Sequence, residues 1–104
     1  MWFITTFERI KPNTEDEFFN FPDFGHQRTW GYYSECEKAV KALHKNFTDM
    51  WECLYDYALI EEIDDGICAY AGNRQWFKWD NERKGYFEIE EPECVKNLCN
   101  FAIG

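Results

Sequence analysis

The chain has 104 residues, of which 45% are hydrophobic and 20% aromatic, and a formal net charge of −9. This length predicts one domain over residues 1–104, and no run of about 18 apolar residues is present, which excludes a membrane-spanning helix. The negative charge argues against direct nucleic-acid binding, because that requires cations to displace the counterions of the phosphates.

The N-terminal residues 1–10 have no basic region before an apolar stretch and no small-residue cleavage site, so we expect a cytoplasmic protein. The cysteines fit that compartment because their number is odd and no pair has Cys-x-x-Cys spacing. We therefore predict reduced thiols and no metal or other cofactor. These thiols are Cys36, Cys53, Cys68, Cys94 and Cys99.

Two strands are predicted in the first third of the chain. Residues 2–10 are rich in β-branched and aromatic side chains on both alternating sets, which predicts an interior strand covered on both faces. Residues 29–33 predict a short second strand. An aromatic-rich loop at 11–28 connects these strands. It is longer than the usual connection of roughly 4 to 6 residues, and connections of this length are often functional.

Four phenylalanines in this loop argue against disorder, because a solvated loop would not retain so much apolar surface. We expect them either to fold back as a flap over a sheet face or to form an exposed anchor for a partner, including a second copy of the chain in a homodimer. The flap is favoured because large exposed apolar patches are rare on monomers. These residues are Phe18, Phe19, Phe21 and Phe24.

A helix is predicted from Ser34, where Ser34 and Glu37 have the spacing of a capping box. Apolar residues recur at helical spacing after it, which predicts one buried and one solvated face. The buried stripe consists of Cys36, Ala39, Val40, Leu43 and Phe47.

The second half of the chain predicts strands followed by a helix. Residues 47–54 suggest a short helical turn, 55–63 alternate as a strand, and 75–80 and 85–90 form a hairpin around the tetrapeptide 81–84. In this hairpin we expect Phe77 and Trp79 to face Phe87 and Ile89 across the strands. Pro92, flanked by acids, predicts the first turn of a second helix. The turn after the 55–63 strand is predicted at Asp64–Gly66.

Together these elements predict the α+β class. The expected architecture is a single-layer antiparallel sheet of four to five strands, with two helices packed on one face.

Four stretches of the chain resemble a family of small proteins of about this length from anaerobic gut bacteria and their mobile elements. They are RTWGYYSECEKAV, YDYALIEEI, QWFKWD and GYFEIEEPECVKNLCNFAIG. The family has no assigned activity, so no catalytic residue is implied. Its association with mobile elements implies an interaction protein that modulates host or rival machinery. The segment from Lys11 to Phe24 is longer than the family would lead us to expect.

The acidic residues give the leading functional hypothesis. Residues 47–104 contain thirteen acids and five bases, and no Lys or Arg occurs between Lys45 and Arg74. An exposed array of carboxylates attracts basic clefts over long range, which predicts a non-catalytic module that docks on a basic, nucleic-acid-binding protein, for example as an inhibitor. The alternative is that the charge serves solubility. The steering carboxylates are predicted to be Glu61, Glu62, Asp64 and Asp65, at the rim of the phenylalanine anchor.

Two alternatives remain open. Bases and large aromatics interleave between residues 74 and 79, which suits a wall for a small molecule or nucleotide, although cationic stems that cover core tryptophans are the commoner arrangement. This wall would consist of Arg74, Trp76, Lys78 and Trp79. A carboxylate-metal hydrolase is the other alternative, although an edge strand and a helix N-terminus explain the same acids more simply. Its candidate acids are Glu88, Glu90, Glu91 and Glu93, and a lone loop histidine, His26, is a weak candidate for a general base.

Overall fold

The computed structural model describes residues 1–11, 22–45, 55–63, 71–95 and 101. In these ranges one antiparallel sheet has the strand order β2-β1-β3-β4-β5. The predicted α+β class is confirmed, with five strands in the sheet. The elements are β1 (Trp2–Phe7), β2 (Gln27–Tyr33), α1 (Cys36–His44), β3 (Tyr57–Ile63), β4 (Ala71–Asp80), β5 (Gly85–Ile89) and a 3₁₀ turn at Glu93–Val95.

Strand β1 lies inside the sheet, between β2 and β3, as its two apolar sets predict. Ile4 and Phe7 point to opposite faces and are both buried, and so are the two threonines between them. Beyond Phe7 the pairing with the second strand continues, through a backbone hydrogen bond from Glu8 to His26 and a bridge between Lys11 and Asp23. Part of the predicted 11–28 loop is therefore an extension of the β1–β2 hairpin.

Helix α1 covers one face of the sheet, which we call the helix face. Its buried residues Ala39, Ala42 and Leu43 pack against side chains from β1, β3, β4 and β5. The helix begins after Glu35, which makes no side-chain capping hydrogen bond, so the predicted capping box at Ser34 is wrong. Because the helix begins one residue later than predicted, the Ser34 hydroxyl is out of position for the first turn.

No helix in the described ranges is long and apolar enough to cross a membrane.

The other side of the sheet, the opposite face, has its own apolar cluster. Residues near the C-terminus, Val95 and Phe101, pack there together with Phe24 from the β1–β2 connection. In the described ranges α1 covers one face, whereas Val95 and Phe101 pack on the other. The physical reason is that β1, β3 and β4 carry apolar side chains on both faces, and each face must be covered. The predicted position of the second helix on the same face as α1 stays a prediction, because the body of that helix lies outside the described ranges.

The predicted second helix is described only at its beginning. Glu93–Val95 form a 3₁₀ turn in which the amide of Val95 donates to the carbonyl of Pro92 at 3.1 Å. Residues 96–100 lie outside the described ranges, as do the predicted turns at 47–54 and 64–66. Among the described residues α1 is the sole α-helix.

The β4–β5 hairpin forms where it was predicted, but its register differs by one residue. Phe77 lies opposite Glu88, and Trp79 lies opposite Tyr86, so the predicted pairing of Phe77 and Trp79 with Phe87 and Ile89 is wrong. The pairing of Asp80 with Gly85 leaves a four-residue turn at 81–84, and this turn length determines the register.

Candidate functional site

The carboxylate of Glu61 lies inside the protein, not at its rim. Glu61 lies two residues after Leu59 on β3, so its side chain points to the same face as Leu59, the opposite face. It has no solvent-accessible surface there. The backbone amide of Phe101 donates to its two oxygens at 3.0 and 3.3 Å. The prediction that Glu61 steers a partner from the rim is therefore wrong.

Arg74 is the cation of this buried network. Its Nε lies 4.0 Å from Oε2 of Glu61, and its Nη1 lies 3.6 Å from Oε1 of Glu91. The same Nη1 donates to the carbonyl of Val95 at 3.5 Å, and the guanidinium lies 5.6 Å from the ring centre of Phe101. A cation enclosed in this way contacts Val95 and Phe101 on the opposite face, and is not available as a ligand wall.

The predicted wall for a small ligand does not form a single surface. Trp76 is 1% exposed and stacks on Phe7 at a centroid distance of 5.6 Å on the opposite face. Trp79 packs against the cluster on the helix face. Because successive residues of a strand alternate between faces, Trp79 lies on the other face from Arg74, Trp76 and Lys78. Of these three residues only Lys78 lines a groove together with Trp79.

The described members of the predicted partner anchor are few. Phe24 is 6% exposed, and its ring centre lies 5.0 Å from that of Phe7 and 5.4 Å from that of Phe101. It therefore folds onto the opposite face as the flap hypothesis predicts, and is not an exposed anchor. Glu62 is half-buried, and its Oε1 accepts a hydrogen bond from Asn73 at 2.9 Å. The remaining predicted residues lie outside the described ranges: Phe18, Phe19, Phe21, Asp64 and Asp65.

The cations described after residue 55 all have a partner within the chain. Arg74 belongs to the buried network, and Lys78 lies 5.5 Å from the ring centre of Tyr57. Arg83 donates to Asp80 at 2.7 Å and stacks 3.7 Å from the ring centre of Phe87. Lys84 donates to the side-chain oxygen of Asn81 at 3.1 Å.

The carboxylates of the same region are in surplus. Four of them are exposed and have no cationic side chain within 4.0 Å in the part of the chain that the structure describes. They are Asp56, Glu82, Glu88 and Glu90. In the described ranges after residue 55, the carboxylates therefore outnumber the cationic side chains that could neutralise them.

Two of these carboxylates border a groove beside the turn of the β4–β5 hairpin. This hairpin groove has a volume of about 450 Å³ and is lined by residues 78–83 and 87–89. Trp79, Phe87 and Ile89 are half-buried there, and Glu82 and Glu88 are exposed. The groove thus combines partly exposed apolar surface with charges of both signs, because Lys78 and Arg83 line it as well as Asp80, Glu82 and Glu88. Apolar surface surrounded by charged side chains is the composition of an interface centre with a charged rim.

Sequence reasoning missed the hairpin groove because it paired Trp79 with β5 in a register shifted by one residue. The alternation of apolar and acidic residues from Phe87 to Glu90 was the available signal. Combined with the register set by the four-residue turn, this signal would have placed Trp79 opposite Tyr86.

The acids proposed for a metal site do not form a metal-binding cluster in the described ranges. Within the described ranges, no group of three or more His, Cys, Asp or Glu side chains is arranged to hold a metal ion. The carboxylate of Glu91 already pairs with the guanidinium of Arg74. His26 is exposed, and its backbone amide donates to Glu8 at 3.1 Å.

Comparisons with known protein families, with curated proteins and with solved structures find no match to the chain.

Proposed function

We propose that this protein is a non-catalytic acidic interaction module that docks on a basic, nucleic-acid-binding protein through the hairpin groove. The observation that supports this is the charge surplus of the second half. Four exposed carboxylates lack an ion pair in the described ranges, whereas the described cations after residue 55 have partners inside the chain.

The surplus carboxylates act at long range. An uncompensated negative potential raises the association rate with a basic protein roughly ten- to a thousandfold at low salt. Glu88 and Glu90 belong to the end of the sheet where β5 is the last described strand, so no further described strand stands between them and an approaching partner. They accelerate the encounter, while contacts in the groove determine how long the complex lasts.

The half-buried side chains of the groove supply the short-range contacts. Trp79 and Phe87 are the kind of rigid aromatic side chains that dominate binding energies at interface centres. An arginine of the partner suits a half-buried tryptophan such as Trp79, whereas Phe87 already has Arg83 of the chain itself stacked 3.7 Å from its ring centre. A mobile-element inhibitor that competes with nucleic acid for its target is the concrete form that we would test first.

The experiment compares two pairs of substitutions that change net charge equally. Glu88→Gln with Glu90→Gln neutralises the β5 end, and Glu35→Gln with Glu37→Gln neutralises the start of α1. Each purified form is used as bait for extract of the native host, and a captured basic protein is then purified. Its association rate with each form, and its displacement from duplex DNA, are measured at low and high salt.

We expect the β5 pair to slow association several-fold at low salt and to flatten its salt dependence, with little effect of the α1 pair. We also expect the wild-type protein to displace DNA from the partner. Equal effects of the two pairs would show that only net charge matters and would remove the proposed docking surface. Failure of the wild-type protein to retain any basic protein would refute the proposed function.

A further inference from the structure

A second groove follows one side of α1, and its end at His44 lies near Phe87 of the hairpin groove. This helix groove has a volume of about 520 Å³ and is lined by six residues of α1 and its C-cap together with Gln75 of β4. Cys36, Val40 and His44 recur every four residues, so they form one line along the helix of about 12 Å. The volume falls within the range of about 300 to 1,000 Å³ that is typical of small-molecule sites.

The floor of the helix groove is apolar and supported by the core. Val40 and Cys36 are half-buried and pack against the cluster on the helix face. Nε2 of Gln75 donates to Sγ of Cys36 at 3.5 Å, which orients both side chains. At the far end the His44 ring lies 6.2 Å from the ring of Phe77 and 6.1 Å from that of Phe87, measured between centroids.

The two ends of the helix groove differ in charge. Lys41, His44 and Lys45 line the end near the C-terminus of α1, in a chain whose net charge is −9. Glu37 lines the other end, and both Glu37 and Glu62 act electrostatically on Cys36 there, adding to the burial that raises the pKa of its thiol. A ligand with a single negative end therefore has one favourable orientation.

We propose that the helix groove binds an apolar monocarboxylate, with the carboxylate at Lys41 and Lys45 and the apolar tail over Val40 and Cys36. The charge pattern identifies the ligand class: the basic end attracts one carboxylate, and the acidic end disfavours a second. The site is independent of the docking function, because it uses a different groove and the opposite charge.

The first test is a titration of the ¹⁵N-labelled protein with decanoate, in which binding is measured from the chemical-shift changes of the backbone amides. Decylammonium has a similar tail and the opposite charge, and decanedioate has a second carboxylate. We expect saturable shifts confined to residues 36–45 and Gln75 with decanoate, and binding of decanedioate and decylammonium that is weaker by at least about two- to fivefold, the effect of one exposed charge. Equal binding of all three, or shifts centred on another part of the chain, would overturn the proposal.

The second test uses two lysines of the same helix. Lys41 lines the groove, whereas Lys38 lies outside it and pairs with Glu35 at 3.8 Å. We expect Lys41→Gln to weaken decanoate binding about two- to fivefold, the effect of an exposed charge pair, and Lys38→Gln to leave it unchanged. Decanoate is also expected to slow alkylation of Cys36, measured on its peptide by mass spectrometry, without slowing that of Cys94. Equal effects of the two lysine substitutions, or no protection of Cys36, would refute the site.

Discussion

The backbone amide of Phe101 donates a hydrogen bond to Glu61, at 3.0 Å to one carboxylate oxygen and 3.3 Å to the other. This contact joins the central strand β3 to the C-terminal segment across 40 residues of sequence. Arg74, on the neighbouring strand β4, completes the arrangement by contacting Glu61 and donating to the carbonyl of Val95. Phe101 of the aromatic cluster on the opposite face is thus hydrogen-bonded to a buried carboxylate that also lies near the Arg74 guanidinium.

We expect Glu61→Gln to destabilise the protein by about 1–3 kcal/mol, because the buried amide of Phe101 and the Arg74 guanidinium both lose a charged acceptor, while Glu91 still compensates Arg74. The amide preserves the volume of the side chain, so the loss reports the charge and not a cavity. Urea unfolding followed by tryptophan fluorescence measures the change. Glu88→Gln is the control on an exposed carboxylate and should remain within about 0.5 kcal/mol of wild type. Wild-type stability of the Glu61 variant would show that the pair contributes nothing.

The turn of the β4–β5 hairpin contains a strained residue. Lys84 has a φ angle of 53°, in the left-handed region, where a non-glycine residue costs about 1–2 kcal/mol. We expect Lys84→Gly to stabilise the protein by about 0.5–1 kcal/mol, since glycine removes that strain at a smaller entropic cost. Thermal unfolding at constant salt provides the measurement.

The matched control for this prediction lies in the same turn. Glu82 is not among the described residues with positive φ, so Glu82→Gly is expected to destabilise by about 0.5–1 kcal/mol. If both glycines changed stability in the same direction, the left-handed strain at Lys84 would not be the cause.

The hairpin also shows what the sequence could predict and where it failed. Its two strands and its four-residue turn were predictable from turn residues and alternation. The predicted pairing of Phe77 and Trp79 with Phe87 and Ile89 followed hydrophobic matching instead of the turn length. A turn at 81–84 pairs Asp80 with Gly85, and counting back from that pair places Phe77 opposite Glu88. Turn geometry was therefore the stronger constraint, and it was available in the sequence.

Glu61 shows a limit of a different kind. Alternation along β3 assigned it to the same side as Leu59, whereas its charge favoured an exposed position. The outcome depended on Arg74, which reaches Glu61 only because β3 and β4 pair in the observed register. No local pattern specifies that register, nor the amide of Phe101 as a further donor. The placement of the C-terminal segment on the opposite face was unpredictable for the same reason.

The pH dependence of stability should reveal the ion pair of the hairpin turn. Asp80 accepts hydrogen bonds from the Arg83 side chain and from the amides of Glu82 and Arg83, and these lower its pKa below the usual 3.8, the Arg83 side chain having the largest effect. A carboxyl group with a lowered pKa in the folded state stabilises that state above pH 3.8, and this contribution is lost as the pH falls through the folded pKa.

We therefore expect Asp80→Asn to lower Tm at neutral pH, and the difference from wild type to shrink toward zero on acidification below pH 3.8. Arg83→Gln should produce part of the same profile, because it removes the largest cause of the shift. A Tm difference that is constant over the whole pH range would show that Asp80 acts through its shape and not through its charge.

The reactivity of Cys36 tests the packing between α1 and β4. Burial raises the pKa of its thiol above the usual 9.0, and the hydrogen bond from Gln75 offsets part of that rise. We expect the rate of alkylation by iodoacetamide to reach half its maximum at a pH above 9.0, because only the thiolate reacts. Gln75→Leu should move this midpoint still higher, since the thiolate then loses its donor. Mass spectrometry of the Cys36 peptide separates this thiol from the other four. A midpoint at or below 9.0 would mean that Sγ is solvated, and would contradict the packing of Cys36 between the helix and Gln75.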